Sequence, residues 1–156
     1  MIMPAEGSEG GWTSLGPEGG FIWDLEASPG FSNDSTIFAG TGGGVFRSTD
    51  GGVLWESLNQ GLTSKTIPTI ELSPNFVKDS TLYAGTSGGG LFRSTNRGEQ
   101  WEQLDIDIDE AYVEAITISP TFAIDGTVYI GTFDNGVLRS TDRGETWEEI
   151  NQGFVG

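Results

Sequence analysis

The sequence predicts an all-β fold built from three repeated four-stranded antiparallel units. First, an eleven-residue motif starts at residues 48, 94 and 140, so it recurs at a constant spacing of 46 residues. Second, no long stretch shows the 3.6-residue hydrophobic period of a helix, so we expect no helix longer than a turn. Third, short aromatic and β-branched runs alternate with glycine-rich turns, a pattern typical of β-strands.

Each repeat contains four short runs that we interpret as strands. In the middle repeat they are about Pro68–Leu72, Thr81–Gly85, Gly90–Ser94 and Trp101–Leu104. Each has a normal strand length, and Ser-Pro, Gly and Asp-x-Gly turns separate them. A four-stranded unit of this length matches the blade of a β-propeller, whose two faces pack against the neighbouring blades.

The repeats also predict the domain organisation and a partner. Residues 1–11 are expected as an extension and 12–156 as a three-bladed segment, with blades at about 21–58, 66–104 and 112–150 and an extra strand at 12–15. Propellers usually have four to eight blades, so three blades leave two apolar faces without a neighbour. We expect a homodimer that completes a six-bladed ring head to tail, into which the Trp12 strand could swap. The alternative is a fragment, natural or engineered, of a larger propeller, without a ligand.

Composition excludes several classes of function. Lysine and arginine number 7 against 23 acidic residues, giving a net charge of −16, so neither nucleic acid nor an anionic membrane is an expected partner. Histidine and cysteine are absent, which removes the commonest general base, zinc ligand and thiol nucleophile. The first residues lack the features of a signal peptide, and the sequence does not indicate a compartment.

The repeated motif Ser-x-Asp-x-Gly-x-Thr-Trp resembles the Asp-box, also called the BNR repeat. Its members are Ser48, Asp50, Gly52 and Trp55, then Ser94, Asn96, Gly98 and Trp101, then Ser140, Asp142, Gly144 and Trp147. The resemblance implies a β-propeller like those of sialidases, sortilin-type receptors, xyloglucan-cleaving glycoside hydrolases and photosystem assembly factors. We interpret the motif as structural, because its acid can cap a tight turn, its glycine can adopt a positive φ and its tryptophan can pack.

Other residues that recur in every repeat are also assigned to structure. They are Arg47, Arg93 and Arg139; Asp34, Asp79 and Asp125; and Phe31, Phe76 and Phe122. We expect each arginine to brace its own turn and not to form a sialidase-type triad. Each acid is expected to cap the turn between the first two strands, and each phenylalanine to lie in the core between blades.

Candidates for ligand binding lie where the repeats differ, on connections expected at one end of the propeller. They are Trp23, Lys65, Asp107, Asp109, Tyr112, Glu114, Phe133 and Asp134. The spacing Asp105-x-Asp107-x-Asp109 superficially resembles a calcium loop, but it lacks the glycine and distal glutamate of an EF-hand. We therefore expect a solvated acidic loop, with calcium as the alternative and no other cofactor.

These observations favour a non-catalytic scaffold or binding module, because no nucleophile or metal cluster can be assigned. The alternative is a carbohydrate-binding or glycoside-hydrolase propeller that uses acidic and aromatic loop residues. The ligand would accordingly be a glycan or a protein.

Overall fold

The computed structural model describes residues 20–154, which form three four-stranded antiparallel sheets. The predicted all-β propeller fold is confirmed. In each sheet the strands lie side by side in their order along the chain. The expected strand at Trp12 lies outside the described residues. Within them, no helix is long and apolar enough to cross a membrane.

The three sheets repeat one pattern of elements. The first blade contains β1 (Ile22–Ala27), α1 (Phe31–Asp34), β2 (Ile37–Thr41), β3 (Gly44–Ser48) and β4 (Glu56–Ser57). The middle blade contains β5 (Thr69–Leu72), α2 (Phe76–Asp79), β6 (Leu82–Thr86), β7 (Gly90–Ser94) and β8 (Glu102–Leu104). The third blade contains β9 (Val113–Ile118), α3 (Phe122–Asp125), β10 (Val128–Thr132), β11 (Val137–Ser140) and β12 (Glu148–Glu149).

A one-turn helix joins the first two strands of each blade, and an aspartate at its end stabilises the turn. In the middle blade, Asp79 Oδ2 accepts a hydrogen bond from Ser73 Oγ at 2.6 Å and Oδ1 accepts one from the Thr81 N–H at 3.0 Å. Asp34 and Asp125 make the same pair of bonds in their own blades. The single turn is too short to produce a helical period in the sequence.

Two hydrophobic cores hold the blades together. Between the first and middle blades, the Phe38 and Phe76 rings meet edge to face at 5.6 Å. Between the middle and third blades, Tyr83 and Phe122 repeat this contact at 6.2 Å. Each blade therefore has a front face, represented in the first blade by Phe38, that packs on the rear face of the next blade. The innermost strand β5 lies beside both β1 and β9.

Phe31 departs from the expected role. Phe76 and Phe122 are 0% and 1% exposed, whereas Phe31 is 40% exposed. The reason is its position on the rear face of the first blade, which no other blade covers among residues 20–154. The repeat sequence predicts the same environment for all three side chains, but their neighbours differ.

Two of the three repeated arginines, Arg47 and Arg93, brace the contact between blades as well as their own blade. Arg47 bonds Glu56 in its own blade at 2.6 Å, and it also bonds Glu99 at 2.7 Å and the Arg97 carbonyl at 2.9 Å in the next blade. Arg93 likewise bonds Glu145 of the third blade at 2.8 Å. Each of the three arginines thus pairs with a carboxylate of its own blade, as expected, and Arg47 and Arg93 additionally contact the next blade.

Candidate functional site

A groove of about 600 Å³ runs across the inner strands of all three blades. Five of the eight residues predicted for the ligand face line this groove, namely Trp23, Tyr112, Glu114, Phe133 and Asp134. Thr66, Pro68 and Ser87 of the middle blade complete the lining. The first blade thus contributes Trp23, the middle blade lies between, and the third blade contributes the other aromatic and acidic side chains.

The repeat positions these residues because the groove is lined by equivalent sites of successive blades. Trp23, Pro68 and Glu114 occupy the same place near the start of the three inner strands. The Phe133 N–H donates to the Tyr112 carbonyl at 3.0 Å, and the Ser87 N–H donates to the Thr66 carbonyl at the same distance. The backbone hydrogen bonds are therefore the same at equivalent positions of these blades, while the side chains at those positions differ.

Two aromatic rings of the third blade lie together at one side of the groove. The Tyr112 and Phe133 rings are 6.4 Å apart and tilted by 55°. The Tyr112 ring also covers Gly88 of the middle blade, where an added Cβ would lie 3.6 Å from the ring. Trp23, Tyr112 and Phe133 are all exposed in the groove, at 56%, 48% and 80%.

The groove is acidic. Glu114 and Asp134 are both exposed, and no lysine or arginine among residues 20–154 lines it. Lys65, which was predicted for this face, is exposed but does not line the groove. A ligand in the groove would therefore meet aromatic faces and negative charge.

Asp107 and Asp109 lie in a second, neighbouring groove of about 530 Å³, together with Gly88–Gly90 and Gln103. Asp105 Oδ1 accepts a hydrogen bond from the Asp107 N–H at 3.1 Å, which closes a local turn. Within residues 20–154, no three acidic, histidine or cysteine side chains are arranged to hold a metal ion.

Three carboxylates of the inner strands, those of Asp24, Glu26 and Glu71, were not among the residues predicted from the sequence. Asp24 Oδ2 accepts a hydrogen bond from the Ile70 N–H at 2.8 Å, which links the first two blades. Burial, together with the charges of Glu26 and Asp24, raises the pKa of Glu71 to about 7. Burial, followed by Asp24, also raises the pKa of Glu26. Glu26 and Glu71 occupy the same repeat position. The recurrence of an acid at this position in two inner strands is the sequence signal that could have identified them.

The Asp-box residues form compact hydrogen-bonded turns at the start of the last strand of each blade. In the third blade, Asp142 Oδ1 accepts hydrogen bonds from Ser140 Oγ at 2.7 Å and the Thr146 N–H at 2.9 Å. Ser140 Oγ also accepts from the Gly144 N–H at 2.8 Å. In the middle blade, Asn96 makes the equivalent bonds to Ser94 and Gln100. Ser48, Asp50 and Gly52 form the first turn.

The tryptophans of the three motifs have different environments. Trp101 is 3% exposed, and its indole N–H donates to the Leu58 carbonyl of the first blade at 2.8 Å. Trp55 and Trp147 are only partly buried, and each donates instead to a glycine carbonyl of its own turn. None of the three lines the aromatic groove.

Solved propeller structures have the same fold as this chain. The GH74 enzyme of Niastella koreensis matches 84% of this chain and 22% of its own, with 24% identity and a TM-score of 0.66. The GH74 xyloglucanase of Xanthomonas campestris matches 89% of this chain and 22% of its own, with 24% identity and a TM-score of 0.65. YCF48, solved bound to D1 peptide, matches 87% of this chain and 42% of its own, with 17% identity and a TM-score of 0.54.

The chain thus spans less than half the length of each of these structures, and at such identities the likeness concerns the fold. No curated protein sequence gives a significant match. Residues 43–155 match the Sortilin-Vps10 model, described as sortilin, neurotensin receptor 3. Since that match covers most of the sequence, this protein belongs to the Sortilin-Vps10 family.

Proposed function

We propose that this chain is a non-catalytic scaffold and binding module whose outer blade faces associate head to tail. One observation carries this proposal. Apolar residues on the two outer faces are exposed, whereas the residues at the equivalent repeat positions inside the chain are buried between blades. Membership of the Sortilin-Vps10 family is consistent with a module that binds and does not catalyse.

The rear face of the first blade presents large apolar side chains to solvent. Leu25 is 58% exposed, whereas Ile70 at the same position in the middle blade is 1% exposed. Ile22 is 43% exposed, and its counterpart Ile67 is fully buried. Burying such side chains contributes about 1.5–3 kcal/mol each, so this face favours a partner that covers it.

The front face of the third blade has the complementary surface. Tyr129 and Val137 are partly exposed, whereas their counterparts Tyr83 and Leu91 in the middle blade are fully buried. The Arg139 side chain is 39% exposed, compared with 14% for Arg93, which contacts the next blade. A front face packs on a rear face inside the chain, and the same packing between copies would cover both surfaces.

Head-to-tail association of identical chains gives a closed ring when the rotations add to a full turn. At about 60° per blade, three blades complete half a ring, so two chains would close a six-bladed ring. The expected particle is a homodimer of the 16.6 kDa chain.

Light scattering coupled to size-exclusion chromatography tests this association at micromolar concentrations. We expect the mass of a dimer for the unmodified chain and of a monomer for Leu25→Glu, since the new charge would enter the interface. Ile124→Glu is the matched control, because Ile124 is 89% exposed and its counterparts Asn33 and Lys78 are polar. A monomeric unmodified chain, or equal dissociation by both variants, would contradict the proposal.

A carbohydrate-binding or hydrolytic role is the second candidate, and the aromatic groove with Glu114 and Asp134 favours it. Aromatic faces stack on sugars, and a pair of carboxylates is the usual machinery of glycoside hydrolysis. However, both carboxyl groups are exposed, whereas glycosidase acids usually lie in a desolvated setting. Hydrolysis of fluorogenic glycosides that is lost in Glu114→Gln or Asp134→Asn would favour this candidate over the non-catalytic role.

A further inference from the structure

The aromatic groove combines three features that together recognise a cationic side chain. It has aromatic surfaces on both sides, two exposed carboxylates, and no basic residue in its lining within the described part of the chain. We propose that the groove binds arginine side chains of a flexible basic polypeptide segment. The inference rests on the binding role proposed above and is independent of self-association.

The aromatic side chains are placed to hold a planar cation. Trp23 lies on the first blade and Tyr112 and Phe133 lie on the third, and Thr66, Pro68 and Ser87 of the middle blade complete the lining. A guanidinium group stacks on such faces when it lies within about 6 Å of the ring centroid. The groove volume of about 600 Å³ is within the range of small-ligand sites and has room for a side chain such as arginine.

The fold already uses this kind of contact within its middle and third blades. The Arg97 guanidinium lies 5.5 Å from the centre of the Phe76 ring, and that of Arg143 lies 5.2 Å from the centre of Phe122. Those arginines come from the chain itself and stabilise buried rings. In the groove the rings are exposed, and a guanidinium would have to come from a partner.

The two carboxylates favour arginine over a neutral sugar. A guanidinium can pair with a carboxylate through two parallel hydrogen bonds, and the same plane can stack on an aromatic ring. A sugar would occupy the rings but leave the charges of Glu114 and Asp134 uncompensated. The net charge of −16 would also attract a basic segment and speed its encounter with the groove.

Fluorescence anisotropy with a labelled Gly-Arg-Gly-Arg-Gly peptide tests the proposal on the full chain. The twin peptide with citrulline in place of arginine keeps the shape and removes the charge. We expect the citrulline peptide to bind about tenfold more weakly or not at all, and the affinity of the arginine peptide to fall as salt rises. Equal binding of the two peptides would overturn the proposal.

A pair of double variants separates the groove from general attraction to an acidic protein. Glu114→Gln with Asp134→Asn should weaken binding of the arginine peptide by about tenfold, because both charges of the groove are lost. Asp107→Asn with Asp109→Asn removes the same charge from the neighbouring acidic groove and should change the affinity less than twofold. Equal losses in both variants would show non-specific attraction and overturn the proposal.

A third comparison tests the aromatic contribution. Trp23→Leu should also weaken the arginine peptide several-fold, since Trp is the strongest partner for a cation. If instead neutral xylo- or cello-oligosaccharides bind and lose affinity in Trp23→Leu, the groove is a glycan site and the arginine proposal is wrong. Glycoside hydrolysis would contradict the non-catalytic role itself, and a monomeric particle would contradict only self-association.

Discussion

The carboxylates on the inner strands show how neighbouring blades change the chemistry of a single side chain. Glu71 is half-buried and faces the charges of Glu26 and Asp24, which come from the adjacent strand of the first blade. Burial and these two charges disfavour its ionised form, and the backbone N–H of Ile118 opposes them only in part. The ionised carboxylates of Asp24, Glu26 and Glu71 therefore repel one another across the inner strands, and this repulsion lowers the stability of the folded chain.

This cost predicts a pH dependence of stability. The pKa of Glu71 is raised to about 7 from its usual 4.5, so its neutral form is favoured in the folded chain. The contribution is favourable below pH about 4.5 and is lost as the pH rises through about 7. Glu71→Gln should therefore raise the melting temperature at pH 8 by a few degrees and change it little at pH 4.5.

Thermal unfolding followed by circular dichroism checks this prediction at both pH values. Glu149→Gln is the matched control, because it removes the same charge from an exposed residue of β12. A gain at pH 8 that is equal in the two variants would show an effect of net charge alone and would contradict the role given to Glu71.

At the scale of elements, the Asp-box turn connects the third strand of each blade to the fourth. Asp142 accepts from the Thr146 hydroxyl at 2.5 Å, in addition to its bonds with the Thr146 N–H and Ser140. The Thr146 hydroxyl is the largest cause that lowers the pKa of Asp142 to about 2. The motif of the first blade has Leu54 at this position and lacks that bond.

Substitution of Asp142 should separate hydrogen bonding from charge. Asp142→Ala should lower the melting temperature at pH 7, whereas Asp142→Asn should lower it less, because Asn96 already makes the backbone bond of this turn in the middle blade. The contribution of the carboxylate is present above pH about 4 and is lost as the pH falls toward 2. The loss of melting temperature in each variant relative to the unmodified chain should therefore shrink from pH 7 to pH 2.5 in thermal unfolding, and a loss that stays constant with pH would contradict this account.

Strands were predictable at this scale because the repeat presents each of them three times. The interval Gly90–Ser94 is the same in the sequence prediction and the structure, and Leu82–Thr86 lies one residue beyond the predicted Thr81–Gly85. The one-turn helices were not predicted as helices, because four residues cannot produce a period. The turn-capping role of their aspartates could nevertheless be predicted, because each aspartate lies between a Ser and a Thr that can donate hydrogen bonds to it.

At the scale of the whole molecule, prediction was limited by the arrangement of the blades. The sequence identified side chains that differ between repeats, and five of them share one groove, because equivalent positions of successive blades lie side by side. Asp107 and Asp109 occupy another groove, since the long connection before β9 places them beside Gly88–Gly90. The charge of Glu26 and Glu71 was missed because only the pairing of inner strands brings these acids together.

The proposed dimer would lack one ion pair that joins neighbouring blades inside the chain. Arg47 pairs with Glu99 and Arg93 pairs with Glu145, each on the next blade. The equivalent position in the first blade is Val53, which is 59% exposed. Arg139 would therefore meet a valine when the third blade of one copy packs on the first blade of another.

Val53→Glu should tighten the dimer by restoring this ion pair. A closed dimer has two such interfaces, and each exposed pair contributes about 0.2–1 kcal/mol, so the dissociation constant should fall several-fold. Val53→Gln is the matched control without charge, and Arg139→Ala should abolish the gain of Val53→Glu. Sedimentation equilibrium at low and high salt measures the effect, which should shrink in high salt. If Val53→Glu and Val53→Gln dissociate alike, the two faces do not meet in the register that the internal blades use.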